Sequence, residues 1–82
     1  MAKVSVRFFA RYAELAGCSS SAVNLEMPAT VADVINRVRE AFPGTQAMPP
    51  RPLAALNQRH VQLDATVHEG DEVALLPPLA GG

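Results

Sequence analysis

The chain lacks tryptophan, carries one cysteine and has no apolar run close to the ~20 residues that span a bilayer. The lone Cys18 cannot form an internal disulfide or a cysteine-rich metal site, which is usual in a reducing compartment. His60 and His68 are eight positions apart in turn-like segments, a spacing unlike the known zinc motifs, so we expect two surface imidazoles and no bound metal. The N-terminus lacks a signal-peptide pattern. We therefore expect a soluble, cytoplasmic protein without membrane contact.

Charge of either sign is sparse. Seven basic and eight acidic side chains give a net charge of −1, and no basic cluster offers an electrostatic footprint for nucleic acid. Six of the basic residues are arginine, and Lys3 is the only lysine. We expect no nucleic-acid partner and few sites for lysine-directed modification.

Reactive constellations are also missing. Nucleophilic catalysis by Cys18 would need a nearby base, and the sequence has no Gly-x-Ser-x-Gly elbow. The serines at 19–21 are better explained as a polar turn, and Asp71 with Glu72 as a solvated turn rather than an acid–base pair. The five glycines are too scattered to cradle a phosphate.

Residues 4–9 alternate with the period of a strand that has one buried face. The inward positions are Val4, Val6 and Phe8, and the outward positions are Ser5, Arg7 and Phe9. Phe9 breaks the pattern because it is a large apolar residue on the polar face.

A second alternating run, residues 22–27, predicts a strand that Pro28 ends. Its inward positions are Val23, Leu25 and Met27. Between the two strands, residues 10–16 contain good helix formers followed by Gly17, so we predict one or two helical turns there.

The clearest helix begins at Thr30, which forms a capping arrangement with Asp33. Its apolar positions recur with helical spacing: Val31, Val34, Ile35, Val38 and Phe42. One face of the helix must therefore lie on a sheet. Pro43–Gly44 ends it, and the four prolines within 43–52 predict a surface loop without regular structure.

The last third of the chain predicts three further strands, at 53–57, 60–63 and 73–76. Asn57–Gln58 and Gly70–Asp71 provide the turns before the second and third of them. Pro77 and Pro78 cannot donate ladder hydrogen bonds, so the chain leaves the sheet there. This order of elements predicts a two-layer α+β domain over 1–76 and a flexible C-terminal tail over 77–82.

The tail ends in Gly81–Gly82, which can thread a slot too narrow for residues with a Cβ atom. The plain alternative is a frayed end without a role. A carboxylate is inert towards nucleophiles until its oxygen becomes a leaving group, and forming an acyl-adenylate achieves this. At about 3.3 Å per residue, the tail reaches roughly 20 Å into a partner.

Three parts of the sequence carry a resemblance to a known family. They are Lys3-Val4 with Phe8-Phe9-Ala10, Glu14-Leu15 and Gly17; Leu53-Ala-Ala-Leu-Asn-Gln58; and Glu69-Gly-Asp-Glu-Val-Ala-Leu-Leu-Pro-Pro-Leu-Ala-Gly-Gly82. The chain resembles, nearly end to end, the MoaD/ThiS family of ubiquitin-like sulfur carriers, and in particular the MoaD-type small subunits of molybdopterin synthase. The C-terminal segment is the most specific part, whereas the main helix and the proline-rich loop match only in type.

The resemblance implies a ubiquitin-like β-grasp fold. Such a fold has a mixed four- to five-stranded sheet, one main helix packed across it and, here, a short helix after the first strand. It also implies a carrier in molybdenum cofactor biosynthesis, not an isolated enzyme. The carrier itself binds no cofactor.

The carrier chemistry implied by the resemblance takes place at Gly82. A MoeB-type adenylyltransferase, using ATP and Mg²⁺, adenylates this residue, and a sulfur donor protein then converts it to a thiocarboxylate, 1-thioglycine. The inserting tail consists of Pro77, Pro78, Leu79, Ala80 and Gly81, followed by Gly82. In a heterodimer or heterotetramer with a MoaE-type large subunit, the sulfur passes to cyclic pyranopterin monophosphate.

Phe9 and Leu76 lie on strand faces opposite to their core-directed neighbours. Large exposed apolar patches are usually interaction sites, so we predict that these two residues bind both partners in turn. The alternative is that the proline-rich loop covers this sheet face internally.

Three other functions remain open. ThiS-type carriers of the thiamin pathway share the fold and the diglycine, although they are typically shorter and the Pro77–Pro78 pair favours the molybdopterin branch. A protein modifier is the second, because an activated glycyl carboxyl is electrophilic towards lysine as well as sulfide. The third is a plain interaction module with an idle tail.

Overall fold

The computed structural model describes residues 1–78, so the expectations for Leu79, Ala80, Gly81 and Gly82 lie outside the described residues. Strand β1, Ala2–Phe8, alternates between buried and exposed positions as its sequence predicts. Val4 and Val6 are completely buried. Each strand residue that points inward removes apolar surface from water, and this burial is what fixes the register.

Strand β2, Ser20–Leu25, pairs antiparallel with β1. Val23 and Leu25 point into the core as predicted, but Met27 is 37% exposed, so the inward prediction for this residue is wrong. The reason is that β2 ends at Leu25, and the alternation therefore does not continue to Met27.

The helix between these strands, α1, spans Arg11–Ala16. It ends at Gly17, whose φ of 81° is left-handed and whose N–H donates to the Ala13 carbonyl. A glycine adopts this conformation without the steric cost that a Cβ atom would impose.

The main helix, α2, spans Val31–Ala41. The Thr30 side chain accepts a hydrogen bond from the Asp33 N–H at 3.3 Å, and the Asp33 carboxylate accepts one from the Thr30 N–H at 2.9 Å. This is the predicted capping box, and it satisfies two backbone donors that the first turn leaves free. The buried face of α2 packs on the sheet, and just beyond its end Phe42 meets Phe8 edge to face at 5.6 Å.

The remaining strands of the main sheet are β4, Leu53–Leu56, β5, Arg59–Val61, and β7, Glu72–Leu76. The strand order is β2-β1-β7-β4-β5, with β1 and β7 parallel at the centre and the other pairs antiparallel. This strand order, together with α1 and α2, confirms the prediction of a mixed sheet with one main helix and a short helix after the first strand. Ala29–Thr30, β3, and Thr66–Val67, β6, form a second, two-stranded sheet that the sequence did not predict.

The proline-rich segment after α2 contains regular structure, so the prediction of a loop without it was wrong. Residues Pro43–Ala47 form a 3₁₀ helix, and Thr45 within it is completely buried. Arg39 of α2 donates hydrogen bonds to the carbonyls of Thr45, Met48 and Pro49 at 2.9, 3.3 and 2.6 Å. A Cβ atom on Gly44 would collide with the Leu15 carbonyl, so glycine allows this segment to pack closely against α1.

Among residues 1–78, no helix is long and apolar enough to cross a membrane.

Candidate docking face and root of the tail

The tail leaves the sheet from the end of its central parallel pair. Strand β7 ends at Leu76, after which Pro77 is half-buried and Pro78 is exposed. The Phe9 N–H donates to the Leu75 carbonyl at 3.3 Å, so the backbone beside the exit is tied to β7. The flanking strands β1 and β4 therefore fix the direction in which residue 77 leaves the sheet.

A row of apolar side chains lies beside the end of β7, on the face of the sheet away from α2. Leu53 pairs with Leu76 across β4 and β7, while their chain neighbours Ala54 and Leu75 belong to the core. Phe9 follows the core residue Phe8 on the other side of β7. We call Phe9, Leu53 and Leu76 the outer patch.

The outer patch is accessible on the isolated chain. Leu53 is 47% exposed, and Phe9 and Leu76 are half-buried. The predicted placement of Phe9 and Leu76 on the outer face is therefore observed, although their role in binding stays a prediction. Sequence reasoning missed Leu53, because the run Leu53, Ala54, Ala55, Leu56 is apolar throughout and does not show which side chains face outward.

A cation borders the outer patch. The Arg7 guanidinium carbon lies 5.0 Å from the centroid of the Phe9 ring, which places both side chains on the outer face of the sheet. Arg7 pairs with Ser20 on one side and with Ala74 on the other, and Ala74 pairs in turn with Ala55. Both alanines are buried, although they lie on the outer face.

The opposite end of the sheet holds Asp71, which the sequence placed in a solvated turn. Its carboxylate accepts hydrogen bonds from the Asn57 side chain at 3.1 Å and from the His68 N–H at 2.8 Å, and the side chain is only 19% exposed. These hydrogen bonds, chiefly the one from Asn57, hold the pKa of Asp71 below its usual value. Asp71 therefore lies in the predicted turn, where these hydrogen bonds hold its carboxylate.

The other candidates for chemistry are dispersed over the fold. His60 and His68 are exposed, as expected, and Cys18 packs partly against the core. Burial raises the pKa of Tyr12, so its hydroxyl stays protonated near neutral pH. Among residues 1–78, no three metal-ligating side chains come together.

Comparison with known proteins decides the family. The model of the ThiS family matches residues 6–82, which is nearly the whole chain and includes both terminal glycines. The chain belongs to the ThiS family. Its MoaD/ThiS resemblance is thereby confirmed.

Curated relatives of this ThiS-family chain are similar to it over almost their full length. The molybdopterin synthase sulfur carrier subunit of Chlamydomonas reinhardtii is 33% identical, over 98% of this chain and 99% of that protein. The subunit of the same name from Escherichia coli is 34% identical, over 96% and 99% respectively.

Solved structures confirm the ubiquitin-like β-grasp fold. The crystal structure of the small archaeal modifier protein 1 of H. volcanii superposes with a TM-score of 0.88 at 26% identity, covering 96% of this chain and all of that one. The fold of this ThiS-family chain is therefore shared with a protein named as a modifier.

Proposed function

We propose that this chain is a sulfur carrier in molybdenum cofactor biosynthesis, the small subunit of a molybdopterin synthase. The observation that carries the proposal is its near-full-length similarity to two molybdopterin synthase sulfur carrier subunits, at 33% and 34% identity. The family match extends through residue 82 and so includes the diglycine, which supports the proposal.

The proposed chemistry has two steps at Gly82. A carboxylate oxygen attacks the α-phosphate of ATP on a MoeB-type adenylyltransferase, which uses Mg²⁺, and pyrophosphate leaves. Sulfide supplied by a donor protein then attacks the acyl carbon; the C–S bond forms as the C–O bond to AMP breaks, AMP leaves, and the product is the thiocarboxylate of 1-thioglycine. Activation is required because the free carboxylate is a poor electrophile.

In the proposed transfer step, the carrier docks on a MoaE-type large subunit and inserts residues 77–82 into its active site. The large subunit supplies the catalytic side chains, and this chain supplies the sulfur for cyclic pyranopterin monophosphate. The position of the outer patch around the root of the tail supports this assignment, because a surface that docks there aims the tail into the partner. A half-buried Pro77 at the root also restricts the exit direction and lowers the entropy lost on insertion.

A second candidate is a protein modifier, which the similarity to small archaeal modifier protein 1 favours. It uses the same activated glycine, but the acyl group passes to a lysine amine and forms an isopeptide bond. The two functions differ in the molecule that attacks the activated glycine or receives its sulfur. Analysis of the product therefore distinguishes them, whereas the activation step does not. The thiamin branch is likewise separated by its acceptor.

Removal of Gly81 and Gly82 tests the proposed function. In a reaction containing the adenylyltransferase, ATP, Mg²⁺, a sulfur donor, the large subunit and the pterin precursor, we expect the full chain to support formation of molybdopterin. The chain ending at Ala80 should give none, while it still binds the large subunit through the outer patch. If the shortened chain supports product formation as well as the full chain does, the tail is idle and the carrier assignment is wrong.

A further inference from the structure

Arg7 is held over the outer patch by the ring of Phe9. The 5.0 Å separation between its guanidinium carbon and the ring centroid is within cation–π range. Arg7 lies in β1 and Phe9 directly follows its last residue, Phe8, so the two side chains are two positions apart and lie on the same face of the sheet. The cation is therefore positioned beside the surface proposed to dock.

Within residues 1–78, Arg7 has no anionic partner. The two ion pairs found there join Arg37 to Glu40 and His68 to Asp71. The cross-strand neighbours of Arg7 are Ser20 and Ala74, neither of which carries charge. The nearest acidic position on β7, Glu72, pairs with Ser5 and lies two residue pairs further along the strands, beyond Val6–Val73.

Docking of the outer patch would take the Arg7 guanidinium out of water together with the Phe9 ring beneath it. Guanidinium carries five N–H donors, and a desolvated cation without acceptors costs several times more than a satisfied one. A planar, fixed guanidinium is best satisfied by a carboxylate that receives two parallel hydrogen bonds. A partner surface that merely matched the apolar patch would leave these donors without acceptors.

We propose that Arg7 is a specificity determinant of the docking face, and that the protein receiving the tail presents a carboxylate side chain to it at the edge of its apolar groove. This inference rests on the proposed function, since it concerns the partner that accepts the tail. The apolar outer patch supplies contact area, and the Arg7–carboxylate pair selects the partner and its orientation. Charge pairs at an interface edge act mainly on association rate and on discrimination between partners.

Lys3 provides a matched control on the same strand and face. It is exposed, and it lies four residues from Arg7, about 13 Å along the strand at 3.3 Å per residue. Removing its charge changes the net charge of the chain by the same amount as removing that of Arg7. Any difference between the two substitutions therefore reports position and not total charge.

The test is binding of the large subunit by the full chain and by the variants Arg7→Met, Arg7→Lys and Lys3→Met at low and high salt. Arg7→Met keeps an apolar side chain beside Phe9 but removes the charge. Arg7→Lys keeps the charge but lacks the planar guanidinium that donates two parallel hydrogen bonds. We expect Arg7→Met to bind about three- to tenfold more weakly at low salt and to lose most of the salt dependence of the wild-type chain. Arg7→Lys should recover part of the affinity, and Lys3→Met should match the wild type.

Wild-type affinity and salt dependence in Arg7→Met would overturn the inference while leaving the carrier function intact. If no variant, including the wild type, binds the large subunit, the proposed function fails instead. The chain ending at Ala80 is compared in the same assay. If Arg7→Met weakens binding equally in this background, Arg7 contacts the partner directly. Loss of the effect there would mean that Arg7 acts through the C-terminal residues, and the inference would be wrong.

Discussion

Asp71 and Asn57 join the two turns at the end of the sheet away from the tail. Asn57 donates from its side-chain amide to Asp71 at 3.1 Å, and its side-chain oxygen accepts from the Glu72 N–H at 2.9 Å. The Gly70–Asp71 pair predicted a tight turn and hydrogen bonding by the aspartate. It could not predict the reach to Asn57, because fourteen residues separate the two in sequence and only the β4–β7 pairing brings them together.

The lowered pKa of Asp71 predicts a specific pH dependence of stability. The Asn57 amide and the His68 N–H favour the carboxylate, so the contribution to folding is fully present above the ordinary aspartate pKa. It is lost as the pH falls through the lower pKa of the folded state. We expect Asp71→Asn to lower the free energy of unfolding by about 1–3 kcal/mol near pH 6, because hydrogen bonds to a charged acceptor are lost.

Urea unfolding of wild type and Asp71→Asn between pH 2 and 7 measures this effect. The difference between the two proteins should shrink at the acid end. Glu69→Gln is the control, since Glu69 is an exposed acidic residue of the same turn. Parallel curves for wild type and Asp71→Asn across the whole range would show that the carboxylate does not stabilise the fold.

The strands and the main helix were predictable because each has a local pattern that the core enforces. Alternation identified β1 and β2, an apolar run between a turn and two prolines identified β7, and helical spacing identified α2 with its Thr30 cap. The 3₁₀ helix was not predictable, because its order depends on Arg39 and on the approach of Gly44 to Leu15. Those contacts are tertiary, and the four prolines of the segment locally favour irregular structure.

The outer patch combines residues from β4, from β7 and from the position just after β1. Because these side chains are partly or largely exposed, we expect their substitution to affect binding more than stability. We expect Leu53→Ala, Phe9→Ala and Leu76→Ala each to weaken binding to the large subunit by about 1–2 kcal/mol. Leu53 is 47% exposed, so its substitution should change the free energy of unfolding by less than about 0.5 kcal/mol. Phe9 and Leu76 are half-buried and should cost somewhat more.

Calorimetric titration with the large subunit, paired with thermal unfolding, checks the outer patch. Val6→Ala is the opposite control, because Val6 is completely buried in the core and its truncation should lower stability without altering the docking surface. A large loss of stability with unchanged affinity in Leu53→Ala would place the patch in the internal packing of the fold, as the alternative of a covering loop requires.

At the scale of the whole molecule, the outer patch and the end of β7 lie together at one end of the main sheet. The strand that precedes the tail ends at Leu76, and the outer patch lies beside that end. At the opposite end of β4 and β7, the Asn57–Asp71 hydrogen bond joins the two turns. The end of β7 at Leu76 was predictable from Pro77–Pro78, and the division into a domain and a C-terminal tail stays a prediction. The sequence could not predict the second, two-stranded sheet, since two-residue strands have no periodicity to detect and form only because tertiary contacts bring them together.

The central claim concerns the acyl carbon of Gly82, and intact-mass analysis of the protein from its own cells tests it most directly. Replacement of one carboxylate oxygen by sulfur adds about 16 mass units, which oxidation of a methionine also adds. Alkylation and fragmentation must therefore locate the change. We predict that it lies on Gly82. Only unmodified carboxylate at Gly82, even after incubation with the adenylyltransferase, ATP, Mg²⁺ and a sulfur donor, would contradict the account.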